Sequence, residues 1–246
     1  PFCPDGGRIR SDDHSASRTL EYRMGMYYLQ DAASMLPGQV YLPSADAPLA
    51  LDLCAAPGGK STHLISKMRD RGLLIANDIS ARRLPALIAN LAGWGATHTA
   101  VTCLPGEQIG GMLPERFDVV LVDAPCSAES LRFSRAPRQV SERERQALVD
   151  RQCRLLESAL RAAKPGGVVI YATCTACPDE NEGVIDSILR RYPEQTSLRD
   201  LTVIDHPSAR GLDRYNNPAL TRCMRLWPHV FDTEAFFTAV LEKHAA

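Results

Sequence analysis

Two thiols in unlike surroundings carry the most chemistry in this sequence. Cys126 closes Asp123-Ala-Pro-Cys126, directly after the apolar run Phe117 to Val122. Cys174 lies in Thr173-Cys174-Thr175, directly after Val168 to Ala172. A strand that ends in a thiol presents a nucleophile at the edge of a sheet, and Pro125 fixes the backbone so that Cys126 stays in the loop. A lone buried cysteine is more often a small core residue than a reactive one. A carboxylate and a thiol separated by Ala-Pro at a strand end are less easily assigned to packing. Cys174-x-x-Cys177 also matches half of a zinc or redox motif. No second Cys-x-x-Cys or paired histidine is present to close a tetrahedral site, and the pair does not open a helix at the start of a small βαβ unit. A nucleophile role therefore stands ahead of a metal or redox role, and no metal is expected.

A third chemical stretch is Leu49-Ala-Leu-Asp-Leu-Cys-Ala-Ala-Pro-Gly-Gly-Lys-Ser61. It reads as a buried strand, a Gly-rich turn and a helix N-terminus, the arrangement that lets backbone N–H groups face a polar ligand. Cys54, Ala55, Ala56, Pro57, Gly58, Gly59 and Lys60 are the binding candidates. The turn is one residue from a phosphate-cradling P-loop, whose first glycine is here Cys54, and Leu121-Val122-Asp123 would supply that loop's metal-binding acid. Against this, Asp78 ends the next strand about 20 residues on, where a ribose-binding carboxylate sits in dinucleotide and adenosine sites. Helix capping is the plainer role for Asp78. Arg83 is a weaker binding candidate.

These residues need a frame. Short apolar runs at Leu49 to Leu53, Leu73 to Ala76, Thr99 to Cys103, Phe117 to Val122 and Val168 to Ala172 read as strands. Helical patterns lie between them: Ser61 to Met68, Ser80 to about Trp94, a capped helix opened by Ser141 and Glu144, and Asp179 to Tyr192. Pro85 belongs in a first turn, which moves the second helix start past Ser80. Pro165-Gly166-Gly167 stops the third. Residues 1 to 19 read as an arm, Met24 to Leu36 as a strand or turn leading into a helix at Gln30, and Pro37 to Pro48 as a loop. Leu201 to Ile204, Cys223 to Trp227 and Ala235 to Leu241 read as late strands, the last two pairing as a hairpin. Strands alternating with helices predict an α/β fold with a mostly parallel sheet covered on both faces. Right-handed crossovers gather Ala55 to Lys60, Asp78, Leu104 to Glu107, Asp123 to Cys126 and Thr173 to Thr175 around one crevice.

The 246 residues carry a net charge of −1 and 45% hydrophobic residues, with a mean hydropathy of −0.18. No apolar run approaches the ~20 residues that cross a bilayer, and no signal core is visible, so a cytoplasmic protein with no membrane partner is expected. Eight scattered cysteines then read as free thiols. Arg8, Arg10, Arg18 and Arg23 punctuate the N-terminal stretch, and Arg132, Arg135, Arg138, Arg143 and Arg145 follow the Cys126 motif. Most single arginines are solvated surface; a cluster beside a candidate site favours a phosphate backbone as partner.

Taken together, Ala56 to Ser61, Asp78, Asp123-Ala-Pro-Cys126-Ser127 and Tyr171-Ala-Thr-Cys174-Thr175 resemble the RNA cytosine-5 methyltransferases of the Sun/Fmu (Nop/Sun) family, with the nearest likeness to its bacterial 16S ribosomal RNA branch. Pro178 to Glu182, Tyr28 to Leu36, and Leu226-Trp227-Pro228 with Phe236-Phe237 extend the likeness over residues 20 to 243. The resemblance implies a Rossmann-like class I methyltransferase fold with a seven-stranded sheet and a C-terminal antiparallel hairpin. Residues 1–36 would be an arm packed on a domain of 37–246. It implies S-adenosylmethionine as cofactor, held by residues 54–60, Asp78, Arg83 and Asp123. It also implies an RNA partner, ribosomal or transfer RNA; the arginine cluster makes Arg132, Arg135 and Arg138 the candidate contacts, and a monomer is expected. Cys174 would be the nucleophile that adds to carbon 6 of cytosine, and Cys126 would assist loss of the carbon 5 proton and release. Asp123 would hydrogen-bond ring N3, and Lys60 would organise the site. The sequence departs from the family at Ala128-Glu129-Ser130, where Gly-Glu-Gly is usual, and at Pro105, where an adenine-binding acid is usual and Glu107 could substitute. A P-loop nucleotide hydrolase and an RNA-binding assembly factor without turnover are the rival readings; the paired thiols count against the second.

Overall fold

The computed structural model describes residues 3–9, 16–41, 46–129 and 140–245. Arg10, Ser130, Arg132, Arg135 and Arg138 lie outside the described residues. An N-terminal segment with α1 (Leu20–Arg23) and α2 (Leu36–Val40) leads into alternating strands and helices. In chain order these are β1 (Leu49–Asp52), α3 (Gly59–Lys67), β2 (Leu73–Asn77), α4 (Leu84–Gly93), β3 (Thr99–Thr102), α5 (Gly106–Met112), β4 (Phe117–Asp123), α6 (Glu142–Ala162), β5 (Ala163–Thr173) and α7 (Val184–Arg191). The chain closes with β6 (Thr196–Leu198), β7 (Met224–Leu226), α8 (Pro228–Phe231) and β8 (Phe236–Lys243).

The sheet has eight strands in the order β3-β2-β1-β4-β5-β8-β6, with β7 also paired to β8. β1 to β5 pair in parallel, while β8 runs antiparallel to β5, β6 and β7. β4 shows why its sequence is unbroken Val and Leu. Val119 and Leu121 enter the core on one face with Leu64, Ile65 and Leu74. Val120 and Val122 enter the core on the other with Leu155, Leu156 and Tyr171. A strand buried on both faces has no polar side to alternate with, and each such side chain contributes roughly 1.5–3 kcal/mol.

Among the described residues the sheet has eight strands, where the resemblance implies seven. The extra strand is β6 at Thr196–Leu198, and the expected strand at Leu201 to Ile204 does not form; Leu201, Val203 and Ile204 pack on the core as coil. β6 exists because Ser197 and Leu198 find Glu242 and Leu241 of β8. The expected loop after Pro37 begins as α2, with Pro37 in the first turn where its missing N–H costs nothing. α5 was not expected. Its three glycines weaken a helical signal, yet they allow contact with α6: a Cβ at Gly110 would lie 2.0 Å from the Ser158 carbonyl oxygen. Pro165-Gly166-Gly167 does not separate α6 from β5 but lies within β5, where the register shifts between Phe117 and Val119 of β4. The helix expected from Asp179 opens instead with a π turn, Asp179–Gly183, before α7. α4 does start after Ser80, with Arg83 at its N-cap and Pro85 in its first turn.

Candidate active site

The C-terminal ends of β1, β2, β4 and β5 bring the expected residues together. The ends of β1, β2 and β3 are tied by one buried side chain. Asn77 donates to the carbonyls of Leu53 and Leu104 at 3.1 and 3.0 Å and accepts from Thr102 Oγ1 and Leu104 N at 2.9 Å each.

The Gly-rich turn leaves β1 through Cys54, Ala55 and Ala56, and the Ala56–Pro57 bond is cis. Gly58 has φ of +116°, a conformation open to glycine, and stands at the N-cap of α3 with no side-chain cap. Asp78, 2% exposed, faces this turn. Its Oδ2 accepts from Ala56 N at 3.2 Å and lies 3.1 Å from Arg83 Nη1, while Oδ1 accepts from Ser80 N at 2.9 Å. Arg83 also donates to the Ala56 carbonyl. Asp78 thus caps a loop and faces the turn at once. Burial first, and then the Asp52, Asp123 and Asp78 charges, push the Cys54 thiol far up. Glu107, the candidate adenine acid, is paired to Arg151 of α6 at 3.0 Å.

Lys60, in the first turn of α3, donates from Nζ to Asp123 Oδ2 at 2.8 Å and lies 5.3 Å from the Phe236 ring centroid. Burial alone would lower its ammonium pKa, but the Asp123 carboxylate outweighs that and holds Lys60 above the ordinary lysine value.

Cys126 and Cys174 come into direct contact, Sγ to Sγ 3.3 Å. Their thiols differ in kind. The hydrogen bond shared with Cys126 lowers the Cys174 pKa; burial and the Asp123 charge oppose this and Lys60 assists, leaving Cys174 below an ordinary thiol. The same hydrogen bond, then burial, holds Cys126 well above one. The shared contact thus sets the two thiols apart, Cys174 below the ordinary value and Cys126 above it. After Cys126, Ala128 has φ of +54°. The backbone there keeps the left-handed form that glycine takes without cost, at about 1 kcal/mol for alanine.

Three kinds of residue here were not singled out as site residues from the sequence. Asp52 lies wholly buried beneath Lys60, its Oδ2 accepting from Ser61 Oγ at 2.7 Å; a carboxylate inside Leu-Ala-Leu-Asp-Leu was a visible signal. Glu234 lines the open cavity that also includes Tyr28, Gln30, Lys60 and Asp123, and burial and Asp31 raise its carboxyl pKa. Glu180, Asn181 and Glu182 are all fully buried behind the thiols. Among the described residues no helix is long and apolar enough to cross a membrane.

Residues 39–242 match the family described as 16S rRNA methyltransferase RsmB/F. Ribosomal RNA small subunit methyltransferase F of Erwinia tasmaniensis is 36% identical over 252 residues, covering 100% of this chain and 52% of that protein. The protein of the same name from Shewanella oneidensis is 38% identical over 247 residues, covering 99% and 51%. The chain spans about half the length of the curated relatives it matches. Among solved structures, NSun6 from Pyrococcus horikoshii with SFG superposes with a TM-score of 0.83 at 27% identity, covering 95% of this chain and 57% of that one. A methyltransferase homolog protein from Pyrococcus horikoshii gives 0.82 at 30% identity, covering 94% and 72%.

Proposed function

The chain belongs to the RsmB/F family of 16S rRNA methyltransferases, and on that footing we propose that it methylates carbon 5 of cytosine in RNA, ribosomal RNA before transfer RNA, through a covalent adduct on Cys174. The observation that carries this reading is the 3.3 Å contact of the two thiols beside the Lys60–Asp123 pair. A scaffold needs neither thiol.

The residues around the Gly-rich turn suit S-adenosylmethionine. An uncapped helix N-terminus at Gly58 suits its carboxylate, and Asp78 suits its ribose hydroxyls. Among the described residues Asp78 Oδ1 accepts from Ser80 N alone and keeps a second lone pair for such a hydroxyl. Ala55, Ala56 and Arg83 complete the wall. When bound, the cofactor supplies an electrophilic methyl group.

Carbon 5 of cytosine is a weak nucleophile. Addition of the Cys174 thiolate to carbon 6 pushes the ring electrons towards carbon 5 and makes it an enamine carbon, splitting one hard step into easier ones. A proton held between ring N3 and the Asp123 carboxylate neutralises the negative charge that the addition delivers to N3, and Lys60 orders that carboxylate. After methyl transfer, Cys126, freed of its hydrogen bond once Cys174 is bonded to carbon 6, gives its own proton to solvent and takes the carbon 5 proton; the electrons of that C–H bond re-form the 5,6 double bond and expel the Cys174 sulfur as a thiolate. The base must leave its stack to reach these groups, so a single-stranded or loop target is expected. Arg132, Arg135 and Arg138 follow the Cys126 loop in sequence, and we assign them to the RNA backbone on that ground.

Calorimetric titration with S-adenosylmethionine, with ATP and magnesium as control, tests the cofactor. Cys174→Ala should keep that binding and abolish methyl transfer to RNA. Retained transfer by the variant would remove the assigned nucleophile.

A further inference from the structure

The backbone ladder between β4 and β5 ends with Ala124 N donating to the Ala172 carbonyl at 2.9 Å. Both thiols lie beyond it, on chain that the sheet no longer holds. Side chains of the π turn Asp179–Gly183 take over. Glu180 Oε2 accepts from Ser127 N and from Gln152 Nε2, each at 2.9 Å, and Gln152 Nε2 also donates to the Pro125 carbonyl at 2.9 Å. Cys126 is thus held on both sides.

The next residue does the same for Cys174. Asn181 Oδ1 accepts from Thr173 Oγ1, and its Nδ2 donates to the Thr175 carbonyl at 2.9 Å. The Ser127 and Thr175 hydroxyls, 3.0 Å apart, join the two loops directly. The turn is anchored in turn by Tyr171, whose hydroxyl donates to the Glu180 carbonyl at 2.7 Å. Glu180, Asn181, Gln152, Ser127, Thr173 and Thr175 are all fully buried. Both of these donors to Glu180 are neutral, and among the described residues its Oε1 has no hydrogen-bond partner. A carboxylate buried this way costs stability. Its position across the two loops accounts for its presence better than stability does.

We propose that Glu180 and Asn181 are positioning residues, adjacent on one turn, that hold the two thiol-bearing strand ends in register so that Cys126 and Cys174 stay in contact. For its bearing on catalysis this rests on the reading of Cys174 as the nucleophile. The register itself does not.

The test is the pH dependence of Cys174 alkylation by iodoacetamide, followed by peptide mass spectrometry, in the full chain without RNA or cofactor. Glu180→Met removes the acceptor at similar length and frees the Cys126 loop. Cys174 then loses its hydrogen bond, and its alkylation midpoint should rise by about one pH unit. Glu180→Gln keeps an oxygen for Ser127 N and Gln152 and should hold the midpoint near wild type. Asn181→Asp keeps the acceptor for Thr173, loses the donor to Thr175, and should also raise the midpoint; it decides the matter if Glu180→Met does not fold. An unmoved midpoint in a folded Glu180→Met or Asn181→Asp chain would overturn the proposal, as would a Glu180→Gln shift as large as that of Glu180→Met. Because no methyl transfer is read, failure here is separable from failure of the proposed activity.

Discussion

Asp52→Asn should stabilise the protein at neutral pH and lose most of that advantage in acid. Burial pushes the Asp52 carboxyl up to about 7; the Asp123 charge adds to this, while the Ser61 hydroxyl, the Cys54 N–H and Lys60 pull the other way. In the unfolded chain an aspartate titrates near ~3.9. Between these values the native state binds a proton that the unfolded state has lost, so stability falls as pH rises through that window. About three pH units at ~1.4 kcal/mol each give roughly 4 kcal/mol, fully present below about pH 4 and gone above about pH 7. Asparagine has no such dependence and fits the site. Its oxygen keeps the Cys54 N–H, and its amide donates to the Ser61 hydroxyl, which can accept as well as donate. Urea denaturation of both proteins from about pH 4 to about pH 8 should show the variant's advantage growing by roughly 4 kcal/mol across the range. A difference that stays flat would mean that Asp52 is ionised in the native state at neutral pH, and the account of this buried carboxylate would fail.

Two further outcomes follow from the site. Cys126→Ala removes the group assigned to release, so a protein–RNA adduct through Cys174 should accumulate and survive a denaturing gel. No adduct beside intact methyl transfer would end that role for Cys126. Arg225→Met leaves Glu182 buried without the guanidinium that meets it at 2.7 and 2.5 Å, and takes away the donor to the Ala176 carbonyl. Urea denaturation should show a loss of about 3–5 kcal/mol, with Arg225→Lys recovering only part because an ammonium cannot form the paired bonds; a loss below about 1 kcal/mol would show that the pair is not holding this corner.

What the sequence made legible follows a physical rule. In a parallel sheet the polar residue that ends an apolar run falls at the ligand edge. Asp78, Asp123 and Cys174 could therefore be placed around one crevice from their positions alone, and Lys60 and Cys126 just beyond theirs. Ser141 and Glu144 named the start of α6 because capping is local, and the structure has Ser141 Oγ accepting from Glu144 N. The misplacements are of the opposite kind. β6 is three residues, Thr-Ser-Leu, and becomes a strand only through β8, more than 40 residues away. Its apolar neighbours Leu201, Val203 and Ile204 imitate a strand and serve as coil. Asp179-Glu-Asn-Glu182 reads as a solvated helix start by every local criterion, yet Glu180, Asn181 and Glu182 are buried. Their partners Ser127, Gln152 and Arg225 lie 53, 28 and 43 residues away from the glutamates they meet. The thiols could be found because they stand at the ends of strands. The reason they touch could not, since it is written in side chains whose roles exist only once distant segments have met.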